Sequence, residues 1–326
     1  MTNGTSTLRA AIRALPATLF VLAAAIPAGA VFAQDVERTF TVAEGDRVFL
    51  DVERANVSVT SWDRSEVAFS AARVEGLEFE FAQGDGVLTI RSRDENRRGL
   101  FRWWSRGPMA EITLNVPYQQ DLDLRTSGGN VAIDRLRGDF AAATSGGQIE
   151  AGDIDGTVDV ATSGGRIRLQ HASGPVDAAT SGGSIQIDSV AGPVKARTSG
   201  GRIRIGEAGA SVSAETSGGS IEIDGAVGAI QARTSGGSVE AGLAGQPVAD
   251  SELRTSGGNV TVYLPVGFQA DLSANASGGG ITSDFPELEP DNSAGGAELE
   301  QSLNGGGPDL VMRTSDGSIR IRRLGD

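Results

Sequence analysis

The segments TSGGRIRLQHASGPVDAA (162–179) and TSGGSIQIDSVAGPVKAR (180–197) follow each other directly and share one 18-residue pattern. The tetrapeptide TSGG begins at seven positions with this same spacing: Thr126, Thr144, Thr162, Thr180, Thr198, Thr216 and Thr234. It recurs from Thr255, as ASGG from Ala276 and as TSDG from Thr314. A fixed period of this length is typical of repeat architectures.

Each unit contains two short runs in which apolar and polar residues alternate. With the Thr as position 1, the unit that begins at Thr180 has Ile185 and Ile187 at positions 6 and 8, with polar Gln186 between them. Positions 15 and 17 of the same unit are Val194 and Ala196. A period of two predicts strands rather than helices. A single unit cannot bury its apolar face alone, so the pattern predicts an all-β, parallel β-solenoid with 18-residue coils.

The number of faces on each coil follows less directly from the pattern. Two main sheets are the favoured arrangement. The alternative is a coil with a short third face. The position-11 residues would form that face, and they are Leu136, Ile154, Ala172, Val190, Ala208 and Ala226. The handedness of the solenoid stays open at this stage.

Composition excludes several classes of function. The 326 residues include 46 Gly, one His and no Cys, and the formal net charge is −14. Cysteine-based disulfides, metal centres and catalytic thiols are therefore excluded, and no cofactor is expected. An acidic chain is also a poor nucleic-acid binder, because phosphates require a basic surface.

The N-terminus resembles a secretory signal peptide. Arg9 and Arg13 precede an uncharged run that contains TLFVLAAAI and ends in small residues at Ala33. This order of charged, apolar and small-residue regions predicts export and cleavage after Ala33. The alternative is a retained membrane anchor, since the 20 uncharged residues from Ala14 to Ala33 could just span a bilayer. Pro16, Pro27 and Gly29 interrupt the run, so residues 1–33 are predicted to be a cleaved signal peptide. No further transmembrane segment is expected.

The remaining chain divides into a cap region and the solenoid. Residues 34–117 lack the repeat but contain alternating segments such as RVFLDVE, so they are predicted to form a β-rich N-terminal cap region. Residues 118–326 are predicted to be the solenoid, with an acidic loop insertion at 284–308. The closing segment SIRIRRL (318–324) is expected to be the strand at the far end, where its charge discourages polymerisation.

Several motifs together resemble the bacterial putative adhesin domain family. They are the TSGG coils, VTVYLPVGFQADLSANASGGGI (260–281), the SDFP after it, GGGPDLVMRTSDGSIRI (305–321) and TFTVAEGDRVFLDVERANVSVTSWD (39–63). The resemblance covers residues 36–324. It implies an exported β-solenoid and supplies no catalytic residues, since fold does not imply function.

One segment stands out as a candidate contact surface. Residues 91–109, RSRDENRRGLFRWWSRGPM, contain six Arg and two acidic residues in an otherwise acidic chain. Arg and Trp are frequent binding anchors, and the candidate contact residues are Arg97, Arg98, Arg102, Trp103, Trp104 and Arg106. The alternative is a hairpin loop whose aromatic side chains pack on the cap.

Other polar groups give weaker signals. The outward position-7 residues form a mixed ladder, with Arg166 and Arg202 beside it at position 5, and the ladder comprises Glu150, Arg168, Gln186, Arg204 and Glu222. Such a ladder is more often a solvated face than a binding site. His171 shows no obvious Ser or Cys partner in the sequence, so no catalytic residues are assigned.

These observations predict a non-enzymatic, monomeric protein that is exported to the periplasm or cell surface. It would act by surface contact in the cell envelope, in the manner of an adhesin, on an envelope protein or an anionic glycan. Two alternatives stay open: a scaffold or sensor component of envelope-stress signalling, and a polysaccharide-active enzyme.

Overall fold

The computed structural model describes residues 35–74, 76–94, 109–293 and 295–325. They all belong to one compact unit, which spans Ala33–Asp326. Within the described residues the regular structure is entirely β, and most neighbouring strands run parallel. The predicted all-β parallel solenoid is confirmed.

The strands form two sheets, and each coil contributes one strand to each sheet. Sheet A contains, in spatial order, β1 (Val36–Thr41), β4 (Glu66–Ala72), β7 (Ala110–Pro117), β3 (Ala55–Trp62), β9 (Val131–Arg137), β11 (Ile149–Asp155), β13 (Ile167–Ala172), β15 (Ile185–Val190), β17 (Ile203–Ala208), β19 (Ile221–Ala226), β21 (Val239–Leu243), β23 (Val260–Leu264), β29 (Ile319–Arg323) and β25 (Ile281–Ser283).

Sheet B faces sheet A across the core. It contains, in spatial order, β26 (Asp291–Ser293), β27 (Gly296–Leu303), β24 (Ala270–Ala276), β28 (Asp309–Thr314), β22 (Ser251–Arg254), β20 (Ile230–Arg233), β18 (Val212–Glu215), β16 (Val194–Arg197), β14 (Val176–Ala179), β12 (Val158–Thr162), β10 (Phe140–Thr144), β8 (Asp121–Thr126), β2 (Arg47–Val52), β6 (Val87–Asp94) and β5 (Leu77–Gly84).

The core follows from the alternation. Ile185 in β15 pairs in register with Ile167 on one side and Ile203 on the other, and all three are buried. Val194 and Ala196 in β16, which belongs to sheet B, are also buried in the core. The core is thus built from stacked aliphatic rows, which leaves alternate residues on the two outer faces.

The position-11 residues belong to sheet A rather than to a third sheet. In β15, positions 6, 8 and 11 are buried, and these are Ile185, Ile187 and Val190. The register skips position 9, so the strand bends there and turns position 11 back toward the core. Two sheets therefore account for every coil strand that the structure describes.

The TSGG corner is held by a repeated hydrogen-bond pattern. The buried hydroxyl of Thr180 donates to the carbonyl of Gly165 on the preceding coil at 3.0 Å. The same Oγ1 accepts a hydrogen bond from the backbone N–H of Gly183 at 3.3 Å. One hydroxyl thus ties its own corner to the corner below, which satisfies backbone groups that would otherwise be buried without partners.

Residues 34–117 contribute both coils and antiparallel strands. The strands β2 and β3 pair parallel with β8 and β9, and β6 and β7 extend the stack by another coil. The antiparallel strands β1, β4 and β5 lie beyond them. Four aromatic rings with centroids within 6.4 Å of a neighbour pack among these end strands, and they are Phe40, Phe69, Phe79 and Phe81.

At the other end, two details of the prediction are wrong. The segment 284–308 was expected to be a loop, but it contains β27, which pairs antiparallel with β24 and buries Ala297, Leu299 and Leu303. The segment SIRIRRL was expected to form the edge of the solenoid. Its strand β29 instead lies between β23 and β25, so β25 is the edge strand of sheet A at this end.

The physical reason is a change in the order of the coils. After β27 the chain turns through Gly305 and Gly306, which both have positive φ, and β28 then enters between β22 and β24. The coil formed by β28 and β29 thereby pairs on both sides. Strands that pair on both edges leave fewer unpaired backbone groups than an end position would.

Candidate functional site

The candidate residues Arg97, Arg98, Arg102, Trp103, Trp104 and Arg106 fall within 95–108, outside the described residues. Two other arginines of the same segment are described, and both have intramolecular partners. The Arg91 guanidinium lies 5.6 Å from the centroid of the Phe49 ring, and Arg93 forms a 3.0 Å ion pair with Glu80.

The position-7 ladder exists as predicted, with its residues on successive strands of sheet A. Its arginines are engaged by neighbouring carboxylates. Arg168 lies 3.4 Å from Asp188, while Arg204 contacts Asp224 at 3.0 Å and also Glu222. Asp224 and then Glu222 raise the pKa of Arg204 above its ordinary value. The arginines of the ladder itself are therefore paired with carboxylates, whereas Arg166 and Arg202 beside it are exposed and form no ion pair with any described residue.

His171 has a partner that sequence reasoning missed. Its Nδ1 lies 2.8 Å from Ser189 Oγ, because the register of β13 and β15 places the two side chains opposite each other. Asp153 occupies the equivalent place on β11, so an acid, a histidine and a serine follow one another along this row. The signal was present in the sequence, since position 10 is Asp153, His171 and Ser189 in three consecutive units.

The row of Asp153, His171 and Ser189 lies on an outer surface and is not enclosed. His171 and Asp153 are both exposed, and no hydrogen bond joins them among the described residues. A groove of about 500 Å³ runs beside the row and is lined by His171, Ser189, Glu207, Val227 and neighbouring small residues. A catalytic triad needs its histidine oriented by the acid and its nucleophile set against oxyanion donors. Of these requirements, the described residues of the row meet only the contact between serine and histidine.

A second row lies on the outer face of sheet B, next to the TSGG corners. The last outward residues of successive strands are Arg197, Glu215, Arg233, Arg254 and Arg313. The row borders a groove of about 590 Å³, which the hydroxyl groups of the corner residues Ser199, Ser217, Ser235 and Ser256 also line. Sequence reasoning missed this row because Arg254 and Arg313 are 59 positions apart in the chain.

Across 35–74, 76–94, 109–293 and 295–325, no three His, Asp or Glu side chains are grouped in a way that could hold a metal ion. In that same part of the chain, no helix has the length and apolar character needed to cross a membrane.

The chain is similar to several solved structures at low sequence identity. A structure described as a "putative adhesin" from Parabacteroides distasonis is 14% identical, with a TM-score of 0.42, over 89% of this chain and 97% of that one. A "putative adhesin" from Parabacteroides merdae is 12% identical, with a TM-score of 0.37, over 88% and 96%. A "putative lipid binding protein" from P. distasonis is 15% identical, with a TM-score of 0.32, over 88% and 96%.

Likeness at these identities does not extend to what those proteins bind. No curated protein matches the chain. The model of one protein family, described as Toastrack DUF4097, matches residues 46–322, which takes in the coils and most of the end strands. This chain belongs to the Toastrack DUF4097 family.

Proposed function

We propose that this chain is a non-enzymatic protein of the cell envelope that binds an envelope protein or an anionic glycan through its outer faces. The observation that supports this most directly is the layout of its polar groups. In the described residues they form rows along open sheet faces, and the grooves beside those rows are shallow and solvent-exposed. Such a surface suits extended contact with a partner better than enclosure of a small substrate.

The test of this function is binding to envelope material. Purified protein would be co-sedimented with envelope fragments at low and high salt, and retained proteins and glycans would be identified. We expect binding that weakens as salt rises, because contacts between exposed charges are screened. A protein that stays in the supernatant at both salt concentrations would contradict the proposal.

The candidate loop provides a more specific prediction. Two adjacent residues of a regular strand point to opposite sides, so Trp103 and Trp104 cannot both be buried unless the chain folds back. Replacing both with alanine should leave the circular dichroism spectrum unchanged and weaken co-sedimentation with anionic envelope fragments. Loss of the β spectrum would show that the aromatics stabilise the end of the solenoid instead, and undiminished binding would remove the loop from the contact surface.

Export is part of the proposal and can be checked independently. The signal peptide predicted for residues 1–33 should be removed, so that the exported protein begins at Gln34 and has a formal net charge of −16 rather than −14. Intact-mass measurement of protein recovered from the envelope fraction decides this. Recovery of the chain with Met1–Ala33 attached would contradict it.

Catalysis is the second candidate, and the contact between His171 and Ser189 is the observation that favours it. Incubation with a panel of polysaccharides, followed by assays for reducing ends and unsaturated products, tests this function. Any activity should then be compared in the Ser189→Ala variant. Turnover that disappears with this substitution would establish an enzyme.

A further inference from the structure

The second row, on the outer face of sheet B, carries positive charge that the described residues neutralise only in part. Arg233, Arg254 and Arg313 are direct cross-strand partners on β20, β22 and β28. Neighbouring strands lie about 4.8 Å apart, so the three guanidinium groups start from adjacent positions on one face. Like charges placed directly opposite each other destabilise a sheet.

Only part of this cost is offset within the molecule. Arg233 contacts Glu252 and lies 3.8 Å from Glu215, which in turn lies 3.8 Å from Arg197. Arg254 and Arg313 are both exposed, and neither forms an ion pair with any residue that the structure describes. In a chain with 42 acidic and 28 basic residues, two adjacent unpaired guanidiniums are an unexpected concentration of positive charge.

The surroundings of this row indicate the shape of its ligand. The groove beside it is lined by Arg197, Glu215, Arg233 and Arg254 together with the corner serines. The row continues from Arg254 to its cross-strand neighbour Arg313. From Arg233 to Arg254, guanidinium and hydroxyl groups therefore lie beside each other on successive strands, whereas Glu215 interrupts the row before Arg233. A linear polymer with a carboxylate and free hydroxyls on each sugar offers matching groups at short, regular intervals, and guanidinium binds carboxylate through two parallel hydrogen bonds.

We propose that Arg254 and Arg313, together with Arg233 and the corner serines, bind a linear acidic polysaccharide that lies across the strands along the row. This inference rests on the proposed binding function and deepens it by naming the site and the ligand class. A polyphosphate or nucleic acid fits less well. The acidic protein repels a denser polyanion, and the residues lining the groove include no aromatic ring on which bases could stack.

The test compares two double variants with the same change in net charge. Arg254→Gln with Arg313→Gln removes the unpaired guanidiniums, whereas Arg168→Gln with Arg204→Gln removes two paired ones from sheet A. Titration with polygalacturonate oligosaccharides at low salt should show at least a tenfold loss of affinity in the first variant. The second should stay within about threefold of the parent, because its arginines are already engaged by carboxylates.

Further controls make every outcome decisive. The same oligosaccharides with esterified carboxylates should bind neither form, and the melting temperature of the first variant should not fall, since it loses a like-charge contact. Equal losses in both variants, tighter binding to polyphosphate, or no binding of the parent to polygalacturonate would each overturn the inference. If the first variant loses polygalacturonate but still sediments with envelope fragments, the envelope has another partner and the broader proposed function stands. A parent protein that binds neither would contradict that function itself.

Discussion

Replacing Gly183 with alanine should destabilise the protein by about 3 kcal/mol or more, while the same substitution at its neighbour Gly182 should not. A Cβ added at Gly183 would lie 1.7 Å from the carbonyl oxygen of Gly165 on the preceding coil. That oxygen also accepts the hydrogen bond from Thr180, so it cannot move away without breaking the tie between the two corners.

Gly182 is the matched control because it shares the corner but not the contact. A Cβ at Gly182 would have no neighbour closer than 3.8 Å, which is an ordinary van der Waals separation. Its φ lies outside the left-handed region, so alanine should leave stability unchanged or raise it by up to about 1 kcal/mol through a smaller entropy of unfolding. Thermal unfolding of both variants decides the matter, and similar melting temperatures would show that the corner is looser than the contact implies.

The two glycines of the TSGG corner therefore differ in what the structure requires of them. The fourth residue of TSGG is confined by the carbonyl of the coil below in corner after corner, including Gly147, Gly165, Gly201 and Gly219. The third has open space or ordinary contacts. The sequence shows both glycines equally and does not distinguish them. The structure distinguishes them, because the fourth position requires close approach between coils rather than a left-handed backbone conformation.

The coil pattern could be predicted because each unit carries its own complete signal. The aliphatic residues at positions 6 and 8 pair with the residues at the equivalent positions of the next unit. The period of 18 therefore predicts both the strands and their register. The order of the last coils could not be predicted in this way. TSDG at Thr314 follows ASGG at Ala276 along the chain, yet it precedes it in space.

A chemical signal for that order was nevertheless present. Thr314 keeps the hydroxyl that ties a coil to the one below, and it donates to the carbonyl of Gly258 at 2.7 Å. Ala276 has no such hydroxyl and occupies the outer coil. The unit that lacks the threonine is therefore the one farther from the regular stack. In the chain, however, this unit comes before the one that begins at Thr314.

The candidate site was less predictable than the fold, for a related reason. Rows on a solenoid face combine one residue from each coil, so their charge balance depends on spatial neighbours. The position-7 ladder was visible because its members are 18 residues apart. Whether its arginines are available depends on contacts such as Arg204 with Asp224, which join position 7 to position 9 of the next coil. The pairing of Arg254 with Arg313 depends on the inserted coil and has no counterpart in the linear pattern.

Replacing Ile185 with aspartate should have the largest effect of any single side-chain change considered. Ile185 is 1% exposed and lies between Ile167 and Ile203 in the stacked core. An aspartate there would bury a charge without a partner among aliphatic side chains, at a cost of several kcal/mol. The total stability of a domain is only about 5–15 kcal/mol. This change should therefore leave the protein unfolded, or so unstable that its unfolding transition moves to much lower denaturant concentration.

The control is Gln186→Asp, which adds the same side chain one residue along the same strand. Gln186 faces outward between Arg168 and Arg204, so a carboxylate there gains two neighbouring cations while it loses the hydrogen bond to Asp188. We expect a change in the free energy of unfolding of under about 0.5 kcal/mol, as for most surface substitutions. Denaturant unfolding of the two variants, followed by circular dichroism, measures the difference. Comparable losses in both would mean that β15 does not present Ile185 to the core and Gln186 to solvent, and the register of every neighbouring coil would have to be reassigned with it.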